Sequence, residues 1–182
     1  MNNKCNICNN KMIFWAKKLK YSSYKCTKCD FISILPLPTN EELSLAYNNY
    51  FTQRHKNKIF KEKRNKMFLL ERDFLLQHFT KGKILDYGCS DALFLKTFSQ
   101  KFHKYGYEIS DDAIKNGKKN LPDLKYIDLI KLKKSKRYFD CVIMRGVIEH
   151  FNNLEEEINP IIDSIKKNQF LYITSTPNTN SL

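Results

Sequence analysis

Two sets of residues in this chain have the types and spacing for chemistry. The first is Cys5-x2-Cys8 and Cys26-x2-Cys29, with seventeen residues between the pairs. Each C-x2-C turn can deliver two thiolates to one ion, and two turns complete a closed tetrahedral set, the pattern of a structural zinc site. Such a set leaves no open coordination position, so it holds structure rather than doing catalysis. The second set begins at Asp86-Tyr87-Gly88-Cys89-Ser90-Asp91-Ala92 and continues at Glu108, twenty residues beyond Gly88. A carboxylate, a turn of mostly small residues, and a second carboxylate at that distance are what a nucleotide site requires. Gly88 lets the backbone come close to a ligand. Glu108 is placed to accept hydrogen bonds from both hydroxyls of a ribose.

These residues need a frame. Lys83 to Tyr87 reads as a short buried strand, and residues 91–102 as the helix after it. Residues 104–109 read as a second strand, leading to a helix over 111–119 with Ser110 as its cap. Strands follow at 125–128, 139–144 and 170–174, with a helix near 154–166. Strands alternating with helices imply an α/β domain: a doubly wound, mostly parallel Rossmann-like sheet of about five strands. Ahead of it, residues 1–35 read as a zinc ribbon with short strands at 12–15 and 21–25, and residues 36–82 as a helical linker or cap. Within that linker, Thr39-Asn40-Glu41-Glu42 fits a capping box that opens a helix through about Tyr50. Residues 52–58 read as a loop. Residues 59–79 show helical spacing, with Phe60, Met67, Phe68, Leu70, Phe74, Leu75 and His78 on one broad face expected to pack on the sheet. The sheet domain spans 83–182.

The turn discriminates among adenosine cofactors. A dinucleotide fingerprint requires glycine at 88, 90 and 93, where the chain has Gly88, Ser90 and Leu93. A phosphate loop requires Gly-Lys-Ser/Thr after the strand, and none follows. Small residues at 88, 90 and 92 remain: Gly88, Ser90 and Ala92. With these, residues 84–90, 105–110 and 139–150 (Phe-Asp-Cys-Val-Ile-Met-Arg-Gly-Val-Ile-Glu-His) resemble the ordered motifs of class I S-adenosylmethionine-dependent methyltransferases. The four-cysteine ribbon and the Pro38-Thr39-x-Glu41-Glu42-Leu43 stretch make the chain similar to the branch with an N-terminal zinc-binding region, which includes C-methyltransferases of nucleotide-linked keto sugars. The resemblance implies that Gly88, Cys89 and Ser90 line the methionine part of the cofactor, that Glu108 holds the ribose and Asp128 the adenine, and that Arg145 borders the sulfonium. Asp86 is expected to hold the turn, or the cofactor's ammonium through water. A carbon or hydroxyl acceptor also needs a base. Glu149 and His150 follow the fourth strand at the mouth of the site, and His150 is the first candidate.

Bulk properties narrow the function further. The chain has 182 residues and a formal net charge of +13. Residues 1–82 carry 16 Lys/Arg against 6 Asp/Glu, and the remainder 16 against 13, so the excess lies ahead of the sheet. That excess would attract a phosphate-bearing partner, or it is the compositional bias of a chain rich in Lys, Asn and Ile, the reading that the scattered lysines favour. An RNA methyltransferase is therefore one rival, although no Asn/Asp-Pro-Pro-aromatic clamp and no Pro-Cys nucleophile follow the fourth strand. A non-catalytic remnant holding zinc and cofactor is the other. A small-molecule acceptor is the favoured partner, and nucleic acid is not. No apolar run reaches the length of a membrane span, so the cytoplasm is the expected compartment. The family's sheet has seven strands, and the sequence stops just past the fifth. The sheet domain is therefore expected to be incomplete at its C-terminal end, a truncated or split product, and a partner chain supplying the last strands is a further expectation.

Overall fold

The computed structural model describes residues 4–39, 41–43, 45–46 and 58–177. The end of the helix expected to reach Tyr50, the loop expected at 52–58 and the tail at 178–182 lie outside these. The chain divides into two compact units, Met1–Ala46 and Tyr47–Leu182.

The first unit is a three-stranded antiparallel sheet: β1 (Met12–Lys18), β2 (Tyr21–Cys26) and β3 (Ile32–Leu35). β3 is an addition to the two strands read from sequence. Its core is small: Cys5, Met12 and Cys26, with Cys8, Tyr24 and Phe31 packed against them. The capping box forms as expected. The Thr39 amide donates to Glu42 Oε2 at 2.9 Å, and the Glu42 amide donates to Thr39 Oγ1 at 3.3 Å.

The second unit begins with α1 (Lys58–Leu76). It continues through β4 (Gly82–Tyr87), α2 (Leu93–Lys96), β5 (Phe102–Tyr107), α3 (Asp111–Asn120), β6 (Lys125–Tyr126), α4 (Leu129–Lys134), β7 (Phe139–Arg145), α5 (Leu154–Ser164) and β8 (Ile165–Thr174). The five strands are all parallel, in the order β6-β5-β4-β7-β8. The α/β fold with a five-stranded parallel sheet is thus as expected. Side chains alternate across the central strands with the period of two that a pleated strand imposes. Ile84, Cys141 and Ile143 pack with Phe68, Leu75, Phe94 and Leu95 on one face. Leu85, Val142 and Met144 pack with Leu132, Phe139 and Ile161 on the other. Both faces of the sheet are covered, which is what a buried parallel sheet needs.

Several local expectations are corrected. The helix after β4 is four residues long rather than twelve, because the chain turns at Thr97–Phe98, where the Thr97 hydroxyl and amide both bond back to Phe94 O. The third strand is only two residues, and Asp128 leaves it to cap α4, a helix the sequence did not announce. β8 starts five residues early, at Ile165; the parallel pairing is interrupted opposite Phe139/Cys141, and Asn168 takes up a left-handed φ of 60°. On α1 the buried stripe is Phe68, Leu75 and Phe79 just beyond its end, while Met67, Leu70 and Phe74 are exposed at 47%, 70% and 48%. The broad apolar face is really two stripes, and only one meets the core. The Phe60 side chain lies outside the described residues.

Candidate active site and metal centre

The site forms where β4 and β5 end side by side, with Tyr87 in register with Tyr107. The Gly88 and Cys89 amides both donate to Tyr107 O, at 2.8 and 3.0 Å. The Ser90 amide donates to Glu108 Oε2 at 2.8 Å, and the Ile109 and Ser110 amides donate to Glu108 Oε1 at 2.8 and 2.9 Å. The 88–92 loop and the Glu108 carboxylate therefore converge, as the spacing requires of one ligand site.

The loop's backbone explains its composition. Gly88, Ser90 and Ala92 all have positive φ, at 84°, 50° and 59°. A Cβ on Gly88 would lie 2.6 Å from Val147 Cγ2. Beneath the loop, Gly106 makes room for Cys89, whose Sγ would be 2.7 Å from an added Cβ. Cys89 is buried, and burial pushes its thiol far above the ordinary range, with Asp86 and Glu108 adding to the effect. It is a space-filling neutral thiol, not a thiolate.

Asp86 is 2% exposed, and its Oδ1 accepts no hydrogen bond from any described residue. Burial raises its pKa to about 7 against the opposing pull of Arg145, with Glu108 and Glu71 reinforcing the rise. A buried carboxylate oxygen without a donor is costly unless a ligand or water supplies one.

Arg145, at the end of β7, donates from Nε to Glu71 Oε2 at 2.5 Å, with both side chains nearly buried. Its guanidinium lies 4.4 Å from the Phe68 ring centre and 4.6 Å from that of Phe94. Arg64 reaches the loop from α1, its Nη2 3.8 Å from Asp91 Oδ2. Glu71 and Arg64 are absent from the residues picked out by sequence, and Asp91 stands there only as part of the turn. A signal was available: Arg64, Phe68, Glu71 and Leu75 share one helical stripe, and charged residues inside an apolar stripe need a reason.

The remaining candidates lie around this centre. Asp128 caps α4, its Oδ1 accepting from the Lys131 amide at 2.7 Å. Glu149 and His150 are exposed in the short 3-10 helix Ile148–His150, beyond the end of β7. Glu149 Oε2 accepts from Thr176 Oγ1 at 3.3 Å.

In the first unit, the sulfurs of Cys5, Cys8, Cys26 and Cys29 all lie within 4.8 Å of one another. Three pairs stand at 3.5–3.6 Å. A tetrahedron with metal–sulfur bonds of about 2.3 Å has edges of about 3.8 Å, so the cluster has the right size for one ion. The Ile7 and Lys28 amides point at Cys5 and Cys26 sulfurs, each at 3.4 Å. Backbone amides of Cys29 and Lys28 draw Cys26 down to about 6. The Phe31 amide pulls Cys29 the same way, but desolvation and the sulfurs of Cys8, Cys26 and Cys5 outweigh it and push Cys29 up to about 12. Thiolates this close repel one another, so four ionised together would need a cation among them.

A parallel sheet in this order, with a small-residue turn after its central strand and a carboxylate at the end of the next, is the Rossmann-like class of nucleotide-binding α/β domain. A family model described as a methyltransferase domain matches residues 53–181, and the chain belongs to that family. Among solved structures, the chain is similar to a SAM-dependent methyltransferase from Archaeoglobus fulgidus, with 21% identity and a TM-score of 0.57, over 75% of this chain and 60% of that one. It is similar to a candidate S-adenosyl-L-methionine-dependent methyltransferase from Methanococcus maripaludis, with 15% identity and a TM-score of 0.55, over 71% of this chain and 62% of that one. The plantazolicin methyltransferase BpumL, solved with a triazolic desmethylPZN analog and SAH, matches at 16% identity and a TM-score of 0.51, over 74% of this chain and 52% of that one. The chain thus spans less than two thirds of the length of these structures. A search of curated protein sequences gives no match. Among the described residues, no helix is long and apolar enough to cross a membrane.

Proposed function

We propose that this chain binds S-adenosylmethionine at the ends of β4 and β5 and transfers its methyl group to a small-molecule acceptor. The observation that carries this reading is the convergence of the 88–92 loop on Glu108, beside a buried Asp86 with an unsatisfied oxygen. When bound, the cofactor supplies a methyl group on a sulfonium, a good leaving group that needs no covalent enzyme intermediate. Glu108 would exchange backbone amides for the two ribose hydroxyls. Asp86 would meet the ammonium, directly or through water. Gly88, Cys89 and Ser90 would line the methionine portion with backbone atoms, and Asp128 would stand near the adenine. Arg145 has its Nε hydrogen bond committed to Glu71, so its part at the sulfonium end is to fix the wall formed with Phe68 and Phe94. His150, or Glu149, would take the acceptor's proton from the exposed mouth.

By its resemblance to the ribbon-bearing branch, the acceptor would be a nucleotide-linked sugar or another polysaccharide or secondary-metabolite precursor. Zinc in the four-cysteine cluster is the metal that an all-thiolate tetrahedral donor set of this size favours. Thiolate ligands of this kind fit the reducing cytoplasm.

Calorimetry with S-adenosylhomocysteine tests the cofactor site. The wild-type chain should bind one equivalent. Glu108→Gln should weaken binding by about ten- to a hundredfold, the range for losing a charged hydrogen-bond acceptor. Absence of binding, or equal affinity in the variant, overturns the assignment.

A further inference from the structure

S-adenosylmethionine carries an amino acid as well as a nucleoside. With the ribose at Glu108 and the ammonium at Asp86, its α-carboxylate still lacks a counter-charge. A carboxylate that leaves water needs several donors or a cation. The 88–92 loop offers few donors of its own. The Gly88 and Cys89 amides are committed to Tyr107 O, and the Ala92 amide to Cys89 O. The Ser90 amide, freed once Glu108 turns to the ribose, is a single neutral donor. Helix α2 has four residues and so contributes little dipole.

Two arginines reach this end of the sheet, and they are not equivalent. Arg145 is neutralised by Glu71, and its guanidinium lies against the Phe68 and Phe94 rings. Arg64 stands two turns before Glu71 on α1, roughly 10 Å along the helix, and meets the loop itself. Its side chain is 12% exposed, and its Nη2 lies 3.8 Å from Oδ2 of Asp91, whose side chain is 7% exposed. At that distance the charges attract, but those two atoms share no hydrogen bond. A guanidinium has five N–H donors in a planar fork, enough to serve a second carboxylate beside Asp91. An arginine this little exposed is costly unless it has negative charge to meet. Asp91 directly follows Gly88, Cys89 and Ser90, the residues placed along the methionine portion. We propose that Arg64 is the ligand of the cofactor's α-carboxylate, carried to the loop by α1 and steadied by Asp91. Helix α1 then contributes to cofactor affinity from outside the strand–turn–helix frame, while Arg145 and Glu71 fix the wall. The assignment rests on the cofactor site proposed above.

Calorimetry with two ligands tests it. S-adenosylhomocysteine has the carboxylate. S-adenosyl-3-thiopropylamine keeps the adenosine, the sulfur and the ammonium but lacks the carboxylate. The wild type should bind the amine about ten- to a hundredfold more weakly, the range for one charge-assisted pair. Arg64→Ala should weaken S-adenosylhomocysteine by about the same factor and leave the amine within about twofold of wild type. Arg64→Lys keeps the charge without the fork and should fall between. Retained affinity for the amine also shows that a variant is folded. Should Arg64→Ala fail to fold in a thermal melt, Arg64→Lys carries the same comparison. Equal affinity of the wild type for both ligands overturns the proposal, since nothing then holds the carboxylate. So does a folded variant that loses the two ligands in equal measure, which would make Arg64 a brace of the loop. A wild type that binds neither ligand overturns the cofactor site itself, and the role of Arg64 with it.

Discussion

Ser90 and Ala92 occupy left-handed backbone that glycine enters freely and L-residues do not. A left-handed non-glycine residue costs about 1–2 kcal/mol, and glycine returns about 0.5–1 kcal/mol of that through the entropy it loses on folding. Ala92→Gly and Ser90→Gly should therefore each stabilise the fold by up to about 1 kcal/mol, seen as a Tm rise of about 2–4 °C. A fall in Tm for both would mean that the loop does not hold this conformation. Asp86 gives a pH signature of opposite origin. Its folded-state pKa is raised to about 7 from an ordinary value of 3.8. Between those values the native chain holds a proton that the unfolded chain has lost, so stability falls as pH rises from about 4 to about 7 and then levels. Asp86→Asn carries no such proton. The drop in Tm between pH 5 and pH 8 should be larger in the wild type than in the variant, and equal drops would show that Asp86 is ionised throughout.

The element that joins the site from outside the strands is α1. Glu71 and Arg145 are nearly buried, and removing one partner of such a pair leaves the other charge without compensation. Glu71→Ala should cost about 3–5 kcal/mol in denaturant unfolding, whereas Glu71→Leu combined with Arg145→Met should cost much less. If the double replacement is as damaging as the single one, the pair supplies net stability rather than orientation. The same helix shows where sequence reading runs out. The strands around Ile84-Leu85 and Val142-Ile143 were legible because continuous apolar runs can only be buried, and Ser110 announced α3 by its type alone. The face of α1 was not legible. Met67, Leu70 and Phe74 are as apolar as Phe68 and Leu75, and nothing local says which stripe faces the sheet; Arg64 and Glu71 decide it, through partners about twenty-five and seventy-five residues away in the chain. Helix α2 failed for a related reason, since its length is set by Thr97 turning the chain and not by apolar periodicity. The loop 88–92 and Glu108 were legible because close backbone approach restricts residue size whatever the surroundings.

At the scale of the whole molecule, the two units rest on different sources of stability. The unit at 47–182 buries two continuous clusters of large side chains, one on each face of its sheet. The unit at 1–46 buries Cys5, Met12 and Cys26, two of which are candidate ligands. So little apolar burial among the described residues does not offset the entropy of ordering a segment of that size, and the proposed ion, held by four thiolates, would supply the rest. A zinc ion with four thiolates carries a charge of −2, and the seven lysines of residues 4–35 stand against one aspartate there, so the basic ribbon would complement the metal centre proposed for it. Chelation should therefore melt one unit and spare the other. Trp15, the chain's one tryptophan, lies in β1 and reports on the ribbon alone. Removing zinc should lower its fluorescence anisotropy and release one equivalent of metal, while the helical signal near 222 nm from α1, α3 and α5 persists. Cys26→Ser should reproduce that state without a chelator. If Trp15 anisotropy is unchanged in metal-free protein, the ribbon folds on side-chain packing alone, and the four sulfurs are close for another reason.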